Sequence, residues 1–400
     1  MTKRTYIVYA KRTAIGKLGG KLAPVRVDDL LASVLKNVKE HLSFDPLLVD
    51  DVVVGCANQA GEDNRNVARM ATILAGFPMD IPGTTINRLC GSSLDAVIDG
   101  HARIQAGIAD CLVIGGAESM TRGPLVLSKA QSPYDREQKM FDTTFGWRFQ
   151  NPKMEKMFPL LGMGETAEEV AALYKISREE QDQFAYNSHM KAVAAYARGD
   201  FHNEILPVTV ELKKDNYIFD KDECVRADTT LEALAKLKPV FRKEGTVTAG
   251  NSSPMNDGAS AILMVSEEFL KAHNLTPIME VTGAAVRGLH PNTMGLGPVE
   301  AVKVLLKRYN KKASDFDSIE LNEAFAAQSL GCIKGLELDP AKVNINGGAI
   351  AIGHALGSSG TRIVTTLAHQ MKKNKSIKEG LATMCIGVGQ GIAVSFRNCQ

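Results

Sequence analysis

Strands and helices alternate through residues 1–120, and residues 271–400 repeat that alternation in the same order. Apolar, β-branched runs at Tyr6–Ala10, Asp51–Cys56, Thr84–Asn87 and Cys111–Gly115 are separated by helical periodicity over Asp28–Leu42, Asn66–Ala75 and from just after Cys90 to about Gln105. In the second stretch, strand patterns at Ile278–Val281, Ser318–Leu321 and Val343–Asn346 interleave with helical ones at Pro298–Tyr309, Glu323–Leu336 and through about Met371. Two final strands, Leu381–Ile386 and Ile392–Phe396, flank a glycine-rich turn as a hairpin. Such alternation buries its apolar faces as a mostly parallel, layered α/β sheet with right-handed crossovers.

The two stretches also share wording. Thr84-Thr85-Ile86-Asn87 precedes Cys90-Gly91-Ser92-Ser93, and Val343-Asn344-Ile345-Asn346 precedes His354 and Gly357-Ser358-Ser359. An internal duplication therefore puts Cys90 and His354 at related strand-to-helix turns. Between the halves, residues 121–246 break the rhythm with Lys, Arg, Met and aromatic residues and with helical segments at Glu165–Leu173 and Ser177–Arg198. Gly258–Ser266 then returns to a strand. The expected division is a first half of 1–120 plus 247–270, an inserted loop domain of 121–246 and a second half of 271–400. The insertion reads as a lid over an extended ligand or as a surface elaboration.

A 400-residue chain with 44% apolar and 23% charged residues suits a globular protein of two or three domains. Its net charge of +2 gives no support to nucleic-acid or membrane-surface binding. Seven cysteines stand singly, with no C-x-x-C pair and no Cys/His cluster at metal spacing. That excludes a structural metal reading and points to reduced thiols in the cytoplasm. The opening Met-Thr-Lys-Arg-Thr-Tyr reads as the approach to a strand rather than a leader, and no stretch is apolar enough to span a bilayer.

The chemistry gathers at three glycine-cushioned turns. Cys90 follows a short strand and opens a helix, where free N–H groups lower a thiol's pKa and hold a negative oxygen. His354, among Gly353 and small residues, can project into a cleft and accept a proton from Cys90. Cys385 ends a strand at Gly387-Val388-Gly389-Gln390-Gly391, a turn without the spacing of a dinucleotide loop. A nucleophile, a base and a second thiol suggest thioester chemistry. Cys56, Cys111, Cys224, Cys332 and Cys399 read as packed small hydrophobes.

These three segments resemble the signature motifs of the thiolase family. Asn322-Glu323-Ala324-Phe325 resembles its Asn-Glu-Ala-Phe motif, Gly245–Asp257 its coenzyme A segment, and Ser177–Ala185 with Ser188–Lys191 its loop domain. The resemblance covers essentially the whole chain. It implies the thiolase fold: a duplicated five-layer α-β-α-β-α core with an inserted loop domain. It implies a nucleophile at Cys90, a base at His354 and an acid at Cys385. Asn322 would hold a water at the enolate oxygen, and the N–H groups of Cys90 and Gly387 would form the second oxyanion hole. Arg226, Ala249, Ser253 and Phe325 match coenzyme A contacts. No cofactor or metal is implied, coenzyme A being a substrate, and the expected assembly is a homodimer or homotetramer. Ala355 and Gly162 stand where some members carry proline and histidine, and the second departure weakens a purely acetoacetyl-CoA role.

Phe141–Pro152 and Asp63–Arg69 resemble the loops of β-ketoadipyl-CoA thiolases, so Arg148 could meet an acidic acyl tail. Three substrate readings stay open at this stage: β-ketoadipyl-CoA, a fatty 3-ketoacyl-CoA, or acetoacetyl-CoA in the synthetic direction. A ketoacyl-synthase-like condensing enzyme fits Cys385 poorly, and a non-catalytic lipid-binding relative would be expected to lose one of the three catalytic residues.

Overall fold

The computed structural model describes residues 3–400, so the first two residues of the opening segment lie outside it. The first half contains β1 (Thr5–Thr13), α1 (Val27–Glu40), β2 (Asp51–Gly55), α2 (Val67–Leu74), β3 (Gly83–Ile86), α3 (Ser92–Gln105) and β4 (Cys111–Ser119). After the helices α4 (Met163–Tyr174) and α5 (Arg178–Ala197) of the inserted region, β5 (Asn256–Ser266) closes that half. The second half runs β6 (Met279–Gly288), α6 (Gly297–Tyr309), β7 (Ser318–Leu321), α7 (Ala326–Leu336), the single turn α8 (Ala349–Ile352), α9 (Ser359–Lys373), β8 (Glu379–Ile386) and β9 (Gln390–Asn398).

The strand order is β3-β2-β4-β5-β1 in the first half and β7-β8-β9-β6 in the second. Val53 pairs in parallel with Thr84 and Ile114, and Ile319 pairs in parallel with Val343 and Leu381. The ladders thus set Thr84 on Val343, the same correspondence that the repeated wording gives. In the second half the counterpart of β3 shrinks to one bridge. Asn344 turns out of line at φ +46°, and its side-chain amide replaces the ladder, accepting from Leu321 N–H at 2.9 Å and donating to Leu321 O at 2.8 Å. The expected strand at Val343–Asn346 is therefore completed by a side chain.

Period-two alternation splits each sheet face between two cores. Val52, Val54, Val113 and Leu263 pack outward with Leu30, Leu31 and Val34 of α1. Val53, Ile114, Ile262, Met384 and Val394 face inward onto Leu94, Val97, Ile363 and Leu367 of α3 and α9. Ile319, Leu321 and Leu381 pack outward with Val299, Val302 and Ile333 of α6 and α7. Five layers result, with α3 and α9 in the middle. The two halves also join at their edges, where Tyr6 and Ile7 of β1 pair with Glu280 and Met279 of β6.

The inserted region is fastened by a buried ion cluster: Arg12 Nε meets Glu204 Oε1 at 2.6 Å and its Nη1 meets Asp222 Oδ1 at 2.7 Å. Breaking one partner of such a group leaves an uncompensated charge in a dry interior, so the insertion is locked to β1. Ser177 and Glu180 form a capping box that starts α5 where the sequence pattern put it. The helix expected from Glu323 begins only at Ala326, because Phe325 is extended at φ −146°. Glu323 is held instead by Ser188 Oγ at 2.7 Å and Asn344 Nδ2 at 2.8 Å. Among the described residues, no helix is long and apolar enough to cross a membrane, and no group of acidic, Cys and His side chains could hold a metal.

The central helices touch backbone to backbone. A Cβ on Gly360 would fall 2.1 Å from Leu94 N, and Thr361 N–H donates to Ser93 Oγ at 3.0 Å. Gly360→Ala should cost about 1–3 kcal/mol through overpacking, read as a lowered melting temperature; an unchanged melt would contradict this crossing.

Candidate active site

The α3/α9 crossing brings together the turns that precede the two helices. On one side, Leu89 sits at φ +48°, its N–H bound by Asn87 Oδ1 at 2.9 Å. This sharp turn delivers Cys90 to the start of α3. Gly91 is required there, since a Cβ would lie 2.5 Å from Ile386 Cδ1 on the strand that carries Cys385. On the other side, His354 follows α8. Its N–H donates to Asn256 Oδ1 at 2.8 Å, and its Nδ1 lies 2.6 Å from Ser359 Oγ. The second ring nitrogen, Nε2, is buried and has no partner among the described residues.

Asn322 leaves β7 with its N–H on Thr383 O at 3.0 Å, one strand over from Cys385. Both polar atoms of its side-chain amide are buried without a partner. Buried polar groups left open in this way call for a partner such as an ordered water or a ligand, and the same is true of Arg362 and Glu320 away from these turns. Gly387 directs its N–H to the Cys90 sulfur, as does Cys90 itself. A Cβ at Gly387 would meet Leu89 Cδ1 at 3.4 Å and Met163 Sδ at 3.6 Å, ordinary contacts that set the turn beside the residue before Cys90.

Burial decides the charges. It pushes the Cys90 thiol up to about 11, against the pull of the two N–H groups. The sequence expectation of a helix-lowered thiol pKa is thus corrected, because desolvation outweighs the helix N-terminus here. Burial also raises Cys385 well above its usual value, with Cys90 nearby adding to the effect. His354 is lowered to about 3 by burial, with the Arg362 charge second. The resting site therefore holds two neutral thiols and a neutral imidazole.

An apolar cluster of Ala167, Val247, Met294, Ala324 and Phe325 packs around Cys385, with Met163 and Phe241 at its edge. Ser253 is half-buried beside it, with its N–H on Ala324 O at 3.0 Å. Phe325 and Ser253 thus join the site, whereas Ala249 and Arg226 are exposed on loops. The Arg226 N–H donates to His189 Nδ1 at 3.2 Å. Arg148 is half-buried and donates to Thr143 O at 2.9 Å, with the Asp63 carboxylate close enough to feel its charge. Trp147 Nε1 donates to Leu161 O at 3.0 Å, which places this loop next to Gly162 and Met163. Sequence reasoning missed the partners of the histidine, Asn256 and Ser359, although Asn256 lay within the segment already matched to coenzyme A binding.

The Thiolase, N-terminal domain family model matches residues 5–268, and the Thiolase, C-terminal domain model matches 275–398. This chain belongs to the thiolase family. As a thiolase it is an acyltransferase acting on acyl-CoA thioesters. The chain is 52% identical over 398 residues to the β-ketoadipyl-CoA thiolase of Pseudomonas knackmussii, covering 99% of each. It is 50% identical over 396 residues to the 3-oxoadipyl-CoA/3-oxo-5,6-dehydrosuberyl-CoA thiolase of Escherichia coli, covering 98% of each. The structure of human mitochondrial 3-ketoacyl-CoA thiolase in complex with CoA superposes with a TM-score of 0.92 at 38% identity, covering 100% of this chain and 98% of that one.

A histidine whose folded pKa is depressed binds its proton more readily in the unfolded chain. The stability it carries is present above about 6.5 and is lost as pH falls toward 3. His354→Asn should therefore flatten the pH dependence of unfolding free energy between those values relative to wild type. Parallel curves from denaturant titrations would show that His354 is not held neutral.

Proposed function

We propose that the thiolase cleaves β-ketoadipyl-CoA, or a closely similar dicarboxylic 3-ketoacyl-CoA, with coenzyme A. What supports the catalytic part is that the turns carrying His354, with its open Nε2, and Asn322, with its open amide, meet the elements that carry a partly buried Cys90 and a buried Cys385, two thiols near enough to affect one another. His354 Nε2 takes the Cys90 proton as the sulfur attacks the 3-keto carbon. The C2–C3 bond breaks, acetyl-CoA leaves as an enolate, and Cys385 protonates C2. In the second half, Cys385 takes the proton of an incoming coenzyme A thiol, whose sulfur displaces the acyl group from Cys90. The enolate oxygen is stabilised by His354 and a water on Asn322. The tetrahedral oxygen at Cys90 is stabilised by the N–H groups of Cys90 and Gly387, each such donor being worth on the order of 3 kcal/mol of barrier.

Coenzyme A enters as substrate along the Phe325–Ser253 wall, with Ala249 and Arg226 at its outer end, and the reaction so drawn calls for no cofactor or metal. The dicarboxylic preference is supported by relatives of that name at 50–52% identity and by the Trp147–Arg148 loop beside Met163. Arg148 would bind the terminal carboxylate by turning from the Thr143 carbonyl. Copies associate as a homodimer or homotetramer in this reading. The hairpin of Leu125–Leu127 with Met140–Asp142 supports it by exposing Leu125, Leu127 and Met140 by 61–66%. Seven free cysteines suit the cytoplasm.

Coenzyme A-dependent thiolysis of β-ketoadipyl-CoA, a long-chain 3-ketoacyl-CoA and acetoacetyl-CoA tests the substrate. The dicarboxylic compound should have the highest kcat/KM, and Arg148→Ala should lower that value by about tenfold or more while sparing acetoacetyl-CoA. Equal or better turnover of the neutral chains would overturn the preference. Cys90→Ala should abolish thiolysis of all three.

A further inference from the structure

Glu118 lies on β4 and is 2% exposed, and among the described residues it makes no bond to a cation. It accepts three backbone N–H groups instead: Ala57 at 2.9 Å and Gly357 at 2.8 Å on Oε2, and Asn58 at 3.0 Å on Oε1. Gly116, two residues earlier on the same face, approaches so closely that a Cβ there would meet Gly357 O at 2.4 Å and Ser93 Cβ at 2.5 Å. This face of β4 therefore points at the place where α3 and α9 begin. Gly357 belongs to the turn between His354 and α9. Ala57 and Asn58 lie in the loop after β2, which braces the other turn: the Ala57 carbonyl accepts from Asn87 Nδ2 at 2.9 Å, and Asn87 Oδ1 holds the N–H of Leu89 before Cys90.

The duplicated ladders give this position a second meaning. Val53 pairs with Ile114 and Ile319 with Leu381, so Glu118, four residues beyond Ile114, corresponds to Cys385, four beyond Leu381. One half of the molecule puts a thiol at this strand position, and the other puts a carboxylate.

We propose that Glu118 is the positioning residue that holds the Cys90 and His354 turns in one register. It rests on the catalytic reading of Cys90 and His354 given above. Three N–H groups converging on one carboxylate tie the His354 turn, through Gly357, to the loop after β2, which holds the Cys90 turn through Asn87. A carboxylate suits this task because it has acceptor sites for all of them, whereas an amide must offer one donor to a donor. Glu118 touches no substrate atom and acts only through the two turns. Its loss should slow chemistry without loosening coenzyme A.

The test compares wild type, Glu118→Gln and Glu118→Asp, each checked for folding by thermal melting, in acetoacetyl-CoA thiolysis and in alkylation of Cys90 by iodoacetamide. Acetoacetyl-CoA keeps the result independent of the dicarboxylate preference. Both variants should fold and lose about 10²-fold in kcat, with KM for coenzyme A within about threefold and a displaced pH profile of Cys90 alkylation. The profile is a readout that a general loss of stability would not move. A folded variant with wild-type kcat and alkylation profile would overturn the proposal. So would a fall in activity equal to the fall in folded fraction, or failure of both variants to fold, since each assigns Glu118 to the fold alone. Cys90→Ala, measured alongside, separates the two levels: retained turnover there would instead bring down the catalytic reading.

Discussion

The close crossing of α3 and α9 sets everything else in this molecule. Helices normally pack 8–10 Å apart, at a distance set by the side chains between them. Here Gly360 admits the backbone of Leu94, and Gly55 of β2 admits that of Ser93, where a Cβ would lie 2.1 Å away in either case. The consequence is that two helix N-termini, one from each half, open at one place. The turn before each can then present a single reactive group to the same small volume. The edge pairing of β1 with β6 is two residue pairs long and could not fix that relation alone. The halves are aligned by what lies between their sheets.

Because this place is dry, charge is unwelcome in the free enzyme. Desolvation holds Cys90 and Cys385 as thiols and His354 as a neutral imidazole. In the proposed reaction, proton transfer from Cys90 to His354 is therefore unfavourable until a substrate carbonyl takes up the negative charge. In that proposal the N–H groups of Gly387 and Cys90 and the open amide of Asn322 would supply the compensation at that moment without reorganising. Two neutral thiols suit the proposed reaction, in which one proton is delivered and another removed in turn.

Sequence alone singled out Cys90, His354 and Cys385 as candidates because each sits in glycine-rich surroundings. The duplication was legible too, since Thr84–Asn87 and Val343–Asn346 keep their wording although only the first forms a strand. What stayed hidden depends on long-range burial. Glu118 reads as an ordinary polar residue at a strand end, and nothing local says that three peptide groups from elsewhere meet it. Ser359 and Asn256 become partners of the histidine turn only once α9 and β5 are in place. The thiol pKa was misjudged for a related reason: the helix N-terminus is a local feature, whereas desolvation comes from the whole fold and acts more strongly.

Both peptide groups that face the Cys90 sulfur adjoin residues in unfavourable conformations. Leu89 precedes Cys90 at φ +48°, and Val388 follows Gly387 at φ +61°. For a β-branched residue such a φ is a genuine outlier, costing on the order of 1–3 kcal/mol. It persists because neighbours leave the chain no alternative. Gly389 is pressed so tightly that a Cβ would lie 2.3 Å from Leu289 O, and Gly391 lies against Gly297 O, so the hairpin cannot shift. A glycine at 388 would reach the same φ without strain, but it would also reach many others. The valine narrows the Gly387 peptide to fewer orientations, which is what the oxyanion role proposed for that N–H group would require of it.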